Sequence, residues 1–407
     1  MNIKDIYEKL LRLSSKEEVT KLLVGLVKIP SHEKEIGGEE RIADYLLEFF
    51  SKEGVPAEKQ YVQPKRPNII AKLEYSKNGN SIMLSGHTDI NPPEGMTIPP
   101  FEGIVKDGKV YGRGALDMKG GIAAMAYALI LLNRCDLNLN GSALFAGVIG
   151  EAIGGSEGTK YLINHLPIRV SMGIVGEPTG LNIITAHKGM EWFEIIIHGK
   201  AAFGATPELG INAIEKGVDF INMLRKELYP KLRQRSHPLV GSPTLNIGII
   251  EGYGGHKRPN VVPDFCRILI DRRLIPGENG EQAYRELIDI VNKLSRIDSD
   301  FVAEVRRLPE MMGRSPMEIP TNHPIVESIK KSYITVMGRE PKIMGGSGFT
   351  DAAYFVNDAK ITTAVFGPGL YKGPESYTEE SIEIDEVLTA SIIYALTIYS
   401  ACEKNKS

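Results

Sequence analysis

Three short apolar runs in the first half of the chain each end in titratable groups. They are SIMLSGHTD (81–89), SALFAGVIG (142–150) with Glu151 directly after it, and SMGIVGE (171–177). Apolar runs of this length without polar alternation predict strands covered on both faces. Helical patterns surround them. EERIADYLLEFF (39–50) has helical spacing, and KGGIAAMAYALILLNRC (119–135) is apolar on most sides, as a buried helix is. Strands alternating with helices predict an α/β fold, with a mostly parallel sheet sandwiched by helices. Ligands of such sheets bind beyond the carboxyl ends of the strands. His87, Asp89, Glu151 and Glu177 all fall at such ends.

From about residue 187 the pattern changes. MEWFEIIIHGK (190–200), PTLNIGIIEGY (243–253), DFCRILIDRRLI (264–275) and DFVAEVRRL (300–308) read as strands. GINAIEKGVDFINMLRKEL (210–228) and GEQAYRELIDIVNKL (280–294) read as helices. The order β-α-β-β-α-β is the ferredoxin-like split βαβ arrangement. After about 312 the α/β texture returns, with a helix over 322–338, a strand in ITTAVFGPG (361–369) and a helix over 385–402. The expected organisation is an α/β domain built from 1–186 and 313–407, interrupted by a ferredoxin-like α+β domain over 187–312.

Composition narrows the function. A chain of 407 residues has room for two or three domains. Its 48 basic and 51 acidic residues leave a net charge of −3, so nothing electrostatic points to nucleic acid or an anionic membrane as partner. Cys135, Cys266 and Cys402 are odd in number and form no CxxC pair, which argues against a disulfide framework and a Cys-based zinc site and fits a reducing cytoplasm. The N-terminal MNIKDIYEKLLRL lacks the apolar block of a signal peptide. The longest uncharged apolar stretch, GGIAAMAYALILLN (120–133), is expected to be too short to span a bilayer. A cytoplasmic protein is expected.

The polar residues at the strand ends suggest a cation. His87 and Asp89 are two apart on a strand and so face the same side. An Asp beside a His commonly orients a metal-binding imidazole, although the pair could equally be part of a turn. GRGALDMKGG (112–121) sets Asp117 at the mouth of a helix, where Asp is also a common N-cap. Glu177 in GEPT (176–179) and Glu151 in GVIGEAIGG (147–155) could each be solvated loop acids. Gathered in one cleft, Asp89, Asp117, Glu151 and Glu177 would repel one another unless a cation or raised pKa values relieved them. A divalent metal is the simplest relief.

These residues carry a family resemblance. The chain resembles the zinc amidohydrolases and exopeptidases that include acetylornithine deacetylase, succinyl-diaminopimelate desuccinylase, aminoacylase and carboxypeptidase G. The motifs SGHTDINPP, GRGALDMKGG, GEAIGG, GEPT, GKAAFGATPELGINAI, NVVPDF, DRRLIPGE, GGSGFTDAAYF and FGPG follow the family's order over nearly the whole chain. The resemblance implies an α/β catalytic domain interrupted by a ferredoxin-like lid and dimerisation domain. It implies two zinc ions bridged by one Asp and a water or hydroxide. Asp117 matches that bridge, His87 and Glu177 match the further ligands of one ion, and Glu151 matches the general base.

The departures are as informative as the matches. The other ion's private ligands in the family are the Glu directly after the base and a His four residues before a Glu near the C-terminus. Here those positions are Ala152 and Ser376, with Glu380 matching the Glu. The family's His that reaches a substrate carbonyl from the partner subunit is Phe203 here, with Thr206 or His187 as possible replacements. The three ligands of the first ion survive together, which favours a one-ion hydrolase. Two alternatives stay open: Glu151 could itself be a ligand, or Glu375 or Glu379 could replace the missing one. Asn260 in NVVP and Arg273 in DRRLIPGE match positions that hold a substrate carboxylate, although Arg273 could instead pair with Asp271 or Glu278. The expectation is metal-dependent hydrolysis of an amide bond in a small N-acyl amino acid or peptide, by a homodimer. The metal is zinc, with cobalt or manganese as alternatives, at one or two ions per chain. Asp89 and Glu151 are the expected catalytic pair. The alternative is a catalytically weak or inactive homologue with a binding or regulatory role.

Overall fold

The computed structural model describes residues 2–402 except 77, 78, 138, 153, 155, 256 and 310–312. Ile153 and Gly155 of GEAIGG, and the expected domain limit at residue 312, lie outside the described residues. The chain forms two compact units. One is Met1–Thr185 with Ile319–Met344 and Thr350–Ser407, and the other is Ala186–Glu318 with Gly345–Phe349.

In chain order the principal strands are β1 (Ala57–Gln63), β2 (Arg66–Glu74), β3 (Asn80–His87), β4 (Gly141–Val148), β5 (Met172–Val175), β6 (Ile183–His187), β7 (Gly189–His198), β8 (Thr244–Tyr253), β9 (Phe265–Leu274), β10 (Val302–Arg307) and β11 (Thr362–Val365). The sheet of the first unit runs β1-β2-β4-β3-β5-β11-β6. Its centre, β4-β3-β5-β11, is parallel throughout, and the strands outside it pair antiparallel. All of β4, and β3 from Ser81 onward, are buried. This continuous burial requires cover on both faces and explains why the sequence shows apolar runs instead of alternation.

Helix α1 (Gly120–Cys135) is buried at nearly every position. A Cβ on Gly121 would stand 2.2 Å from the carbonyl oxygen of Gly176, so only glycine lets this helix lie against the strand end that leads to Glu177. The helical run Ala115–Cys135 has 21 residues, and Ile384–Ala401 has 18. Both are long and apolar enough to cross a membrane by length and composition. The first is almost wholly buried inside the protein and the second about two-thirds so, and core packing accounts for their apolar character.

The sheet of the second unit runs β8-β9-β7-β10, antiparallel throughout. Helices α2 (Ala213–Met223) and α3 (Gly280–Ile297) supply the intervening elements of the ferredoxin-like order. Strand β9 buries every second residue, Cys266, Ile268, Ile270, Arg272 and Leu274. Those apolar side chains join Phe193, Ile195 and Ile197 of β7 and Phe220, Leu287 and Ile290 of the helices in one core.

Candidate metal centre

The central strands of the first unit run parallel, so their carboxyl ends share one edge of the sheet. His87 closes β3, Glu151 follows β4 and Glu177 follows β5. Asp117 lies on the turn that opens α1 and follows the left-handed Gly114 (φ 82°). These side chains converge. His87 Nε2 is 3.0 Å from Asp117 Oδ1, 3.6 Å from Glu177 Oε1 and 3.8 Å from Glu151 Oε2. One donor atom each from His87, Asp117 and Glu177 lie within 4.8 Å of one another, the one such group of three among the described residues.

The ring of His87 is fixed from behind. Its Nδ1 lies 2.8 Å from the backbone carbonyl of Asp89. A carbonyl only accepts, so Nδ1 carries a proton, and Nε2 is the ring nitrogen turned toward the carboxylates. Asp89 therefore orients the imidazole through its main chain. Its carboxylate, 3.6 Å from Nδ1, instead accepts from the amides of Glu151 (3.1 Å) and Ala152 (2.8 Å). It ties the Glu151 turn to the end of β3.

Asp117 is held with equal care. Its backbone amide and that of Leu116 donate to Glu380 Oε1 at 3.0 and 2.9 Å. Arg113 Nη1 donates to Glu380 Oε2 at 2.9 Å, and both side chains are buried. The Asp117 carboxylate does not act as a helix cap. Oδ1 faces His87, and Oδ2 accepts the hydroxyl of Tyr371 at 2.6 Å. Sequence reasoning missed Tyr371 altogether, because it stands 254 positions from its partner and no spacing rule links them.

The electrostatics match a site arranged for a cation. Burial opposes the imidazolium of His87, but the charges of Glu177, Asp117 and Glu151 outweigh it and push the pKa well above the usual value. Burial, with Asp351, Asp117 and Asp89 nearby, raises Glu151 from 4.5 to about 8 against the opposing pull of His87. Burial likewise holds Glu177 well above the carboxylate range. Asp117 alone goes down, because the hydrogen bond and charge of His87 outweigh its burial. Without a cation the cluster retains protons to limit its own repulsion.

Ser376 accepts from the amide of Lys372 at 3.0 Å, so its hydroxyl serves its own loop. Glu375 and Glu379 are exposed and outside the donor group. Asn260 and Arg273 belong to the second unit. Asn260 is exposed, and its carbonyl accepts from Gly204 at 2.8 Å, beside a Phe203 that is 62% exposed. Arg273 donates to Asp271 at 3.0 Å, whereas Glu278 pairs with Arg272.

The profile of Peptidase family M20/M25/M40 matches residues 83–400. The chain belongs to this family. It is 28% identical to the N-formyl-4-amino-5-aminomethyl-2-methylpyrimidine deformylase of Halalkalibacterium halodurans, over 97% of this chain and 96% of that one. It is 30% identical to a probable succinyl-diaminopimelate desuccinylase of Staphylococcus aureus, over 87% of this chain and 90% of that one. Among solved structures, the YXEP protein of Bacillus subtilis, described as a dinuclear metal-binding peptidase of the M20 family, aligns with a TM-score of 0.71. That match covers 95% of this chain and 98% of the other at 16% identity, and it speaks to the fold alone.

The raised pKa values fix a pH dependence. Glu151, Glu177 and His87 bind protons more tightly folded than unfolded, so their contribution is complete at low pH and is lost as pH rises through the folded values. Chelator-treated protein should therefore melt at steadily lower temperature from about pH 5 to about pH 9. Glu151→Gln removes one of the three groups and should show a shallower decline. Thermal melts across that range check this, and equal slopes for the two proteins would contradict it.

Proposed function

We propose that the protein is a metal-dependent amidohydrolase that works with a single divalent ion, zinc foremost, held by His87, Asp117 and Glu177. The observation that carries this reading is the placement of Glu151, with its carboxylate 3.8 Å from His87 Nε2 beside the three-donor group. One nitrogen and two oxygen donors suit a divalent ion that keeps a position open. Such an ion supplies Lewis acidity, which acidifies water and polarises an amide carbonyl. The side chains supply the proton traffic. Glu151 takes a proton from the attacking water and passes it to the departing amine. Asp89 holds the Glu151 turn and the His87 ring in register.

The substrate in this reading is a small N-acyl amino acid or peptide. The two named relatives, a deformylase and a desuccinylase, support an acyl group on nitrogen. Arg273 and Asn260 are the candidates for the substrate carboxylate. Lys188 belongs to the same basic group, since burial and the charges of Arg273 and Arg272 lower its pKa. Three buried, unpaired cysteines support a reducing, cytoplasmic setting. One observation favours the second reading, a weakly active or inactive homologue: Phe203 supplies no donor where the family has a His, a type of loss that costs about 10²–10³ in rate.

A screen of N-formyl, N-acetyl and N-succinyl amino acids and dipeptides with zinc-loaded protein separates the readings. Turnover should appear, and Glu151→Gln should lower it by at least ~10² while bound zinc stays equal. Undiminished turnover in the variant would remove Glu151 from the mechanism. Bound zinc without turnover on any substrate would favour the second reading.

The homodimer is part of the same proposal. β8 ends the sheet of the second unit and pairs with β9 on one side only. Its Ile249 and Ile250 are 48% and 50% exposed, and Ile214 and Val218, one helical turn apart on α2, are exposed as well. An unpaired edge strand with apolar neighbours is a surface for a second copy. Light scattering at micromolar concentration should give twice the chain mass, and Ile250→Lys should shift it to one. A wild-type monomer would refute the assignment.

A further inference from the structure

In the usual carboxylate bridge each oxygen faces one cation, so Asp117 would offer one oxygen to each. Oδ1 faces His87, on the side of Glu177. Oδ2 is the oxygen left for a second ion, and it is already engaged by the phenol of Tyr371 at 2.6 Å. A bond this short from an O–H to a carboxylate is of the stronger, charge-assisted kind. The ring is also held in place. Tyr371 stacks on Tyr377 with centroids 5.4 Å apart and planes inclined by 27°. Tyr377 lies in the short helical turn Glu375–Thr378, whose Ser376 occupies the position where the family has a His. Ser376 is folded back onto Lys372. Ala152 carries no donor side chain, and its amide is committed to Asp89.

We propose that Tyr371 is the residue that limits this centre to one ion, its hydroxyl standing on Asp117 where a second cation would bind. The proposal rests on the one-ion reading above and extends it. The loss of Ala152 and Ser376 as ligands is then accompanied by a replacement, a phenol that satisfies the abandoned oxygen. Tyr371 acts through Asp117 and is a positioning residue. It holds Asp117 to offering one oxygen to the cation, which leaves room at the ion for water and substrate.

The test is metal stoichiometry by elemental analysis of full-length protein loaded with zinc. Wild type should hold about one ion per chain. The double variant A152E/S376H restores both missing ligand types but keeps Tyr371, and it should still hold about one. Adding Y371F should raise it to about two. A double variant that already holds two ions, or a triple variant that still holds one, overturns the role of Tyr371 and leaves the one-ion reading intact. Wild type with two ions overturns the one-ion reading itself, and the proposal with it. The single variant Y371F gives a second measurement that does not depend on the engineered ligands. Loaded with cobalt(II), it should show a visible absorption spectrum distinct from wild type, because Asp117 is released to coordinate differently. Superposable cobalt spectra would also overturn the proposal.

Discussion

The repulsion among carboxylates buried around His87 is the constraint on which the rest of the site depends. Asp89, Asp117, Glu151 and Glu177 come from four separate segments and share one cleft, with Asp351 close enough to bear on Glu151. Left uncompensated, such charges would force the segments apart or take up protons. The fold opposes separation with backbone contacts. Asp89 spends its carboxylate on two amides of the Glu151 turn, and Glu380 spends one oxygen on two amides of the Asp117 turn. The buried Arg113 balances Glu380, so the positioning acid adds no uncompensated charge of its own. A divalent cation would complete this balance at the centre.

Seen from that constraint, the departures from the family's two-ion pattern form a consistent set. Without a second cation, the far oxygen of the partly exposed Asp117 is left to water or to another donor. The phenol of Tyr371 supplies a neutral donor at that oxygen. Ala152 contributes no further negative charge, and Ser376 turns its hydroxyl to the loop. Neither position adds a carboxylate or an imidazole, whereas His87, Asp117 and Glu177 keep theirs close together.

Much of this was legible in the sequence, and the reasons are physical. Parallel strands buried on both faces leave continuous apolar runs, so the β3, β4 and β5 segments and the acids at their ends could be read directly. The ferredoxin-like order was legible because β9 alternates with period two and α3 has strong helical spacing. The outer strands β1 and β2 were not recognised. AEKQYVQ is half-exposed and mixed in polarity, and β2 follows it after only a two-residue turn. The buried helix was read over 119–135 from its apolar character on most sides, close to the observed Gly120–Cys135. At the site, the side chains that converge were readable as types, but their partners were not. That Asp89 would use its carbonyl for His87 and its carboxylate for Glu151 depends on the turn geometry after β3, which residue identities do not encode. Tyr371 was invisible for the same reason, since only the meeting of the loop after β11 with the α1 turn gives it a role.

The central claim, a single cation held by His87, Asp117 and Glu177 with Tyr371 on the far oxygen of Asp117, is tested most directly by anomalous diffraction. Crystals of zinc-loaded protein, measured on both sides of the zinc absorption edge, locate each ion without assumptions about ligands. The account predicts one anomalous peak per chain, in contact with His87 Nε2 and with one oxygen each of Asp117 and Glu177, and the Tyr371 hydroxyl still on Asp117 Oδ2. Two peaks per chain on either side of Asp117, with Tyr371 displaced, would contradict it.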